Sequence, residues 1–102
     1  MLSQPSKGEL FVDPGALFAL REHNKSLLPA GITDVAGDFN RGDIISIFAP
    51  QGEKGEKIGL GISNYSFRDI AAIKGCHSER IAELLGYEYG AEVVHRDNLV
   101  VL

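Results

Sequence analysis

Two short apolar runs of equal length, Ile44-Ile45-Ser46-Ile47-Phe48 and Ile58-Gly59-Leu60-Gly61-Ile62, stand on either side of the charged stretch Pro50-Gln51-Gly52-Glu53-Lys54-Gly55-Glu56-Lys57. The first is β-branched and almost wholly apolar, which predicts a strand; the second returns as its partner across a hairpin tip. Ile45 and Ile47 are expected to alternate with Ile44, Ser46 and Phe48, with at least one of the two sets in the core. Glycine at positions 59 and 61 predicts a crowded face, where a neighbouring backbone or a barrel bend needs the room. A chain built around such a hairpin makes turns between its strands, not the crossover helices of a doubly wound sheet.

The flanking sequence supplies the remaining elements. Residues 1–8 have no periodicity and read as a lead-in or linker, leaving 9–102 as the domain. Leu10-Phe11-Val12 is a short apolar run. Asp13-Pro14 caps a helix over about Pro14 to His23, with Leu17, Leu20 and Phe18 on its apolar side and Asn24 as its stop. Ser26 to Ile32 contains Pro29 and Gly31 and reads as an edge segment or shaped loop, followed by a weak strand at Thr33 to Gly37. Asp38 to Asp43 is turn chemistry. Ser66 opens a second helix ending before Gly75, and Ser78 to Leu85 forms a third, with Ile81, Leu84 and Leu85 on one face and Gly86 as its stop. Glu92 to His95, a turn at Arg96-Asp97-Asn98 and Leu99 to Leu102 read as a terminal hairpin or kinked strand. Leu99 to Leu102 is expected to pair beside Leu10–Val12 or beside Leu27-Leu28, because four apolar residues left as a free edge would recruit other chains. The expected fold is mainly β, mixed α+β: a small barrel-like sheet of about five to six short strands with three short helices.

Composition excludes several functions. The 102 residues, 44% hydrophobic, suffice for one core. The single Cys76 rules out an internal disulfide framework and suggests a reducing compartment, and no apolar run approaches a membrane span; the chain is expected to be soluble and cytoplasmic. A net charge of -4, with neither half of the chain basic, argues against a domain that holds nucleic acid mainly by neutralising phosphates.

No motif carries catalysis. Cys76, His77 and His95 lack the spacing of a metal site, and Cys76 has no base and orienting group to activate it. Gly59 and Gly61 lie within a strand and do not open a dinucleotide fingerprint, and no phosphate loop is present. Arg41-Gly42-Asp43 is a turn leading into a strand, and Asp34, Asp38 and Asp43 are spread along turns, not paired for acid–base work. Catalytic, cofactor-binding and metal residues are therefore assigned to none.

The run Ser26 to Ile32, then Gly37-Asp38-Phe39-Asn40-Arg41-Gly42-Asp43, then Gly61-Ile62-Ser63-Asn64-Tyr65-Ser66 resembles a PUA domain. His77-Ser78, Leu85-Gly86-Tyr87-Glu88-Tyr89-Gly90 and Val94-His95-Arg96-Asp97-Asn98 are similar to the C-terminal PUA domain of the bacterial glutamate 5-kinase family. The resemblance runs from about Gly8 to Leu102 and implies a PUA-like pseudo-barrel of mixed strands. It also implies a fragment without catalysis of its own. The amino-acid-kinase domain that precedes the PUA domain in that family holds the ATP, magnesium and glutamate sites, catalyses the first step of proline biosynthesis, and would be this module's covalent partner. The role implied is regulation or assembly through that domain or other subunits, with no membrane contact. PUA domains of RNA-modifying enzymes grip RNA with the first helix, the loop after it and the last strand. Carried onto this chain, that surface holds Arg21, Lys25, Ser26, Gly31, His95 and Arg96, with Gly31 permitting close backbone approach and the cations meeting phosphate. Three certain cations in an acidic chain rank RNA second. The bland alternative is that Leu27, Leu28, Pro29 and Gly31 shape an edge segment and Arg96 pairs with Asp97.

Overall fold

The computed structural model describes residues 7–23, 25–49 and 56–102. The hairpin tip at Pro50–Gly55, the stop at Asn24 and most of the lead-in lie outside the described residues. Among the described residues five strands form one sheet: β1 (Gly8–Val12), β2 (Ile32–Gly37), β3 (Ile44–Phe48), β4 (Lys57–Ile62) and β5 (Leu99–Val101), in the order β2-β1-β3-β4-β5. β1 and β3 run parallel, and every other neighbouring pair is antiparallel. The mixed sheet arises because the chain leaves β1, makes α1 (Pro14–Glu22), returns beside β1 as β2, then crosses to the other side of β1 as β3.

β3 lies at the centre. Ile45 and Ile47 are fully buried and Ser46 between them is buried too, so this strand is covered on both faces. β1 begins at Gly8, inside the stretch read as lead-in, because the Phe39 ring packs where a side chain at Gly8 would stand and the Lys7 N–H donates to Ile44 O at 2.8 Å.

The helix caps follow the sequence. Asp13 accepts from the Ala16 N–H at 2.7 Å at the start of α1, and Ser66 accepts from the Asp69 N–H at 3.3 Å at the start of α2 (Phe67–Ile73). A 3₁₀ turn at Ser78–Arg80 leads into α3 (Ile81–Leu85). Two expected core residues are exposed instead. Phe18 stands one residue round the helix from Leu17, away from the buried Leu20, and packs edge-on against His23, while only Ile81 of α3 is buried and Leu84 faces outward.

The C-terminal strand does not pair where the sequence suggested. β1 already has β2 on one side and β3 on the other, and Leu27 is taken by an antiparallel bridge to Val94. β5 pairs with β4 instead, in the space the two glycines provide: a Cβ at Gly59 would lie 2.7 Å from Val100 O, and one at Gly61 would lie 2.6 Å from a Val94 methyl. The expected terminal hairpin is absent for the same reason, since Val94 faces Leu27 and a 3₁₀ turn at Arg96–Asn98 redirects the chain into β5. The Leu27–Val94 bridge joins the chain leading into β2 to the chain leading into β5, drawing the two sheet edges toward each other as a pseudo-barrel.

Candidate functional site

The same bridge shapes the surface beside α1. The Leu27 N–H donates to Val94 O at 2.9 Å, and the Val93 N–H donates back to Leu27 O at 2.8 Å. Residues 25–31 and 92–96 are thereby held side by side. One further bond locks them, from the Arg96 N–H to Ser26 Oγ at 2.9 Å. Pro29–Gly31 then forms a 3₁₀ turn whose last carbonyl accepts from the Asp13 N–H at 2.9 Å.

Two adjoining clefts result. One, of about 510 Å³, runs between α1 and this loop, with Ala16, Ala19, Leu27 and Leu28 as largely apolar walls. The other, of about 340 Å³, is polar and is bounded by Lys25, Ser26, Glu92, His95 and Arg96. Lys25, Ser26 and Leu28 line both. Lys25, Ser26, Gly31, His95 and Arg96 are therefore brought together. Arg21 is not: its guanidinium lies 3.9 Å from Glu56 Oε2, at the approach to β4.

Local chemistry refines the expected roles. The backbone that approaches Gly31 belongs to this domain, because a Cβ there would lie 2.6 Å from the Ala16 Cβ; the glycine lets α1 pack on the loop. Asp97 pairs with His95 and not with Arg96: His95 Nδ1 accepts from the Asp97 N–H at 3.1 Å and stands 3.5 Å from its carboxylate. Glu92 was not singled out by sequence, yet it sets a carboxylate beside Lys25 and Arg96. Its position two residues before Val94 becomes informative only once Val94 is known to pair with Leu27.

A second polar region lies across Glu92 and His95. Tyr65 is fully buried, donates its hydroxyl to Gly90 O at 2.6 Å and accepts from the Tyr89 N–H at 2.8 Å. Burial pushes its phenol pKa up, because the phenolate would lose its solvation. The Tyr89 ring stands 5.4 Å from both Tyr65 and Tyr87 and carries the Arg41 guanidinium over its face at 4.0 Å. Among the described residues no group of three or more His, Cys, Asp or Glu side chains converges as metal ligands, and no helix is long and apolar enough to cross a membrane.

A sheet of this order, closed by a bridge and flanked by short helices, is a PUA-type fold, and the chain belongs to the PUA domain family, whose model matches residues 8–85. Within that family it is similar to the C-terminal region of glutamate 5-kinases. It is 48% identical over 95 residues to the glutamate 5-kinase of Thermus thermophilus, covering 93% of this chain and 25% of that protein. With the Deinococcus radiodurans glutamate 5-kinase it shares 46% over 102 residues, covering 100% of this chain and 27% of the relative. The chain thus spans about a quarter of the length of the curated relatives it matches, and what matches is their PUA part, not their catalytic domain. Two solved structures share the fold. A PUA domain from Aeropyrum pernix K1, solved as a tartrate complex, gives a TM-score of 0.61 at 24% identity, covering 87% of this chain and 41% of that one. A conserved PUA domain protein from Thermoplasma acidophilum gives 0.58 at 21% identity, covering 90% and 50%.

Proposed function

We propose that this chain is the non-catalytic PUA module of a cytoplasmic glutamate 5-kinase and that it serves the kinase through protein contact, in assembly or regulation. The observation that carries this reading is the identity of 46–48% to the PUA part of those enzymes across nearly the whole chain. The charge of the clefts supports contact over nucleic acid: Lys25 and Arg96 share their cleft with a carboxylate, Glu92, without an ion pair to it, and Asp13 lines the neighbouring cleft. A phosphate-tracking groove needs a surplus of cations. ATP, magnesium and glutamate would be bound by the kinase domain alone.

A full-length glutamate 5-kinase carrying this domain tests the reading when compared with a version lacking residues 9–102. Truncation is expected to change the oligomeric mass or the response to end-product inhibition while leaving substrate turnover in place, and the isolated chain is expected to release no ADP from ATP and glutamate. Unchanged mass and unchanged inhibition would overturn it. RNA binding is the second reading, favoured by the convergence of Lys25, Ser26 and Arg96. Titration with mixed tRNA and rRNA fragments at low and moderate salt separates the two, since saturable binding at moderate salt that is lost in Lys25→Ala and Arg96→Ala would establish the RNA role instead.

A further inference from the structure

The turn Asn40-Arg41-Gly42-Asp43, which the proposed function leaves unused, holds a charged side chain more firmly than a solvated surface arginine requires. The turn itself is pinned, with the Asn40 N–H on Asp43 Oδ2 at 2.8 Å and the Gly42 N–H on Ser63 O at 2.8 Å. Arg41 Nε donates to Asn64 Oδ1 at 3.3 Å, and its guanidinium plane lies over Tyr89 at 4.0 Å. Both supports are themselves fixed. Asn64 Nδ2 donates to Tyr89 O at 3.1 Å and to Glu92 O at 3.3 Å, and Tyr89 is tied through its N–H to the buried Tyr65. The terminal guanidinium nitrogens are left over: among the described residues Arg41 takes part in no ion pair within 4.0 Å.

A cleft of about 590 Å³ opens in front of this guanidinium, with Ile62 in its wall and Asn98 and His95 at its side. Glu92 lines the same cleft, and it too is in no ion pair among the described residues. The two opposite charges line one cleft yet form no ion pair with each other within 4.0 Å, so each is left incompletely compensated. A ligand carrying both signs compensates both. We infer that this cleft is a binding site for a free α-amino acid, its carboxylate on the Arg41 guanidinium and its ammonium on the Glu92 carboxylate, with the side chain toward Ile62. Two other ligand classes fit less well. A phosphate dianion would meet one fixed cation and the repulsion of Glu92. A stacked nucleobase would need the Tyr89 face that Arg41 already covers.

The inference is independent of the module's role in the kinase, and its test is a direct binding measurement on this chain. Amide NMR spectra would be recorded while adding, one at a time, each of the twenty common α-amino acids, acetate, methylammonium and inorganic phosphate. At least one amino acid is expected to shift the Gly42, Asn64, Tyr89 and Glu92 amides saturably, with a Kd of roughly 1 mM, a level typical of a small ligand held by two charge contacts. Acetate and methylammonium should each bind about tenfold more weakly, which is the loss of ~1.4 kcal/mol for one missing contact. Arg41→Gln and Glu92→Gln should each weaken the amino acid by a similar factor while the domain stays folded and melts cooperatively, as both side chains line the cleft and neither is a core residue. Overturning results are saturable shifts by no amino acid, acetate or phosphate binding as tightly as the best amino acid, or variants that bind it unaltered.

Discussion

Tyr87 and Asp69 show how one contact sets a measurable property of a residue. The Tyr87 hydroxyl donates to Asp69 Oδ1 at 2.6 Å, and this hydrogen bond, aided by some desolvation and by the carboxylate's charge, pushes the phenol from 10.0 up to about 12. The protonated phenol is the bonded form. Whatever stability the contact contributes is therefore intact below pH 10.0 and is lost as pH rises toward about 12. Alkaline titration followed by tyrosinate absorbance should show Tyr87 ionising late, and Asp69→Asn should return it toward the ordinary tyrosine range. A Tyr87 that titrates identically in both proteins would remove the hydrogen bond from the account. Residue-level features of this kind were only partly visible beforehand. The caps Asp13 and Ser66 were readable because each bonds three residues along its own chain, whereas Tyr87 and Asp69 are 18 positions apart and come together only when α2 and the segment after α3 have folded.

Among the elements, β4 and β5 give the sharpest case. The alternating glycines of β4 announced a crowded face, and the crowding comes from β5 and from Val94. A Cβ at Gly59 would meet Val100 O at 2.7 Å, and because that neighbour is backbone the strand must move to admit it. Gly59→Ala is expected to cost about 1–3 kcal/mol in denaturant unfolding, as overpacking does. It should also weaken hydrogen-exchange protection at Leu102, whose N–H donates to Ile58 O at 2.8 Å. Glu56→Ala, at an exposed side chain, should stay within about 0.5 kcal/mol of the parent. Equal losses at the two positions would mean that β5 does not depend on the room left by Gly59. The spacing of the glycines pointed to a neighbour, but not to which one, because any backbone could fill the gap.

For the molecule as a whole, β5 is the last strand of the sheet and the one that covers the free side of β4. Val100, Val101 and Leu102 remain exposed on it. Deleting residues 99–102 should expose the hydrogen-bonding edge of β4 together with Gly59 and Gly61, and the shortened chain is expected to aggregate or lose cooperative melting. A soluble chain that still melts cooperatively without β5 would show the sheet to be complete at β4. What depends on near neighbours was legible in the chain alone: the caps, the alternation of Ile45 and Ile47 with Ile44, Ser46 and Phe48 in β3, the crowding at β4 and the kinds of element along the chain, together with the family resemblance. The strand order, the partner of β5, the outward turn of Phe18 and Leu84, and the pairing of Arg21 with Glu56 while Lys25 and Arg96 share a cleft came from long-range packing. The physical reason is competition. A strand edge or a charge takes whichever partner the rest of the fold leaves available, and here the partners are as distant as Ser26 and Arg96, 70 residues apart, whose meeting no local pattern encodes.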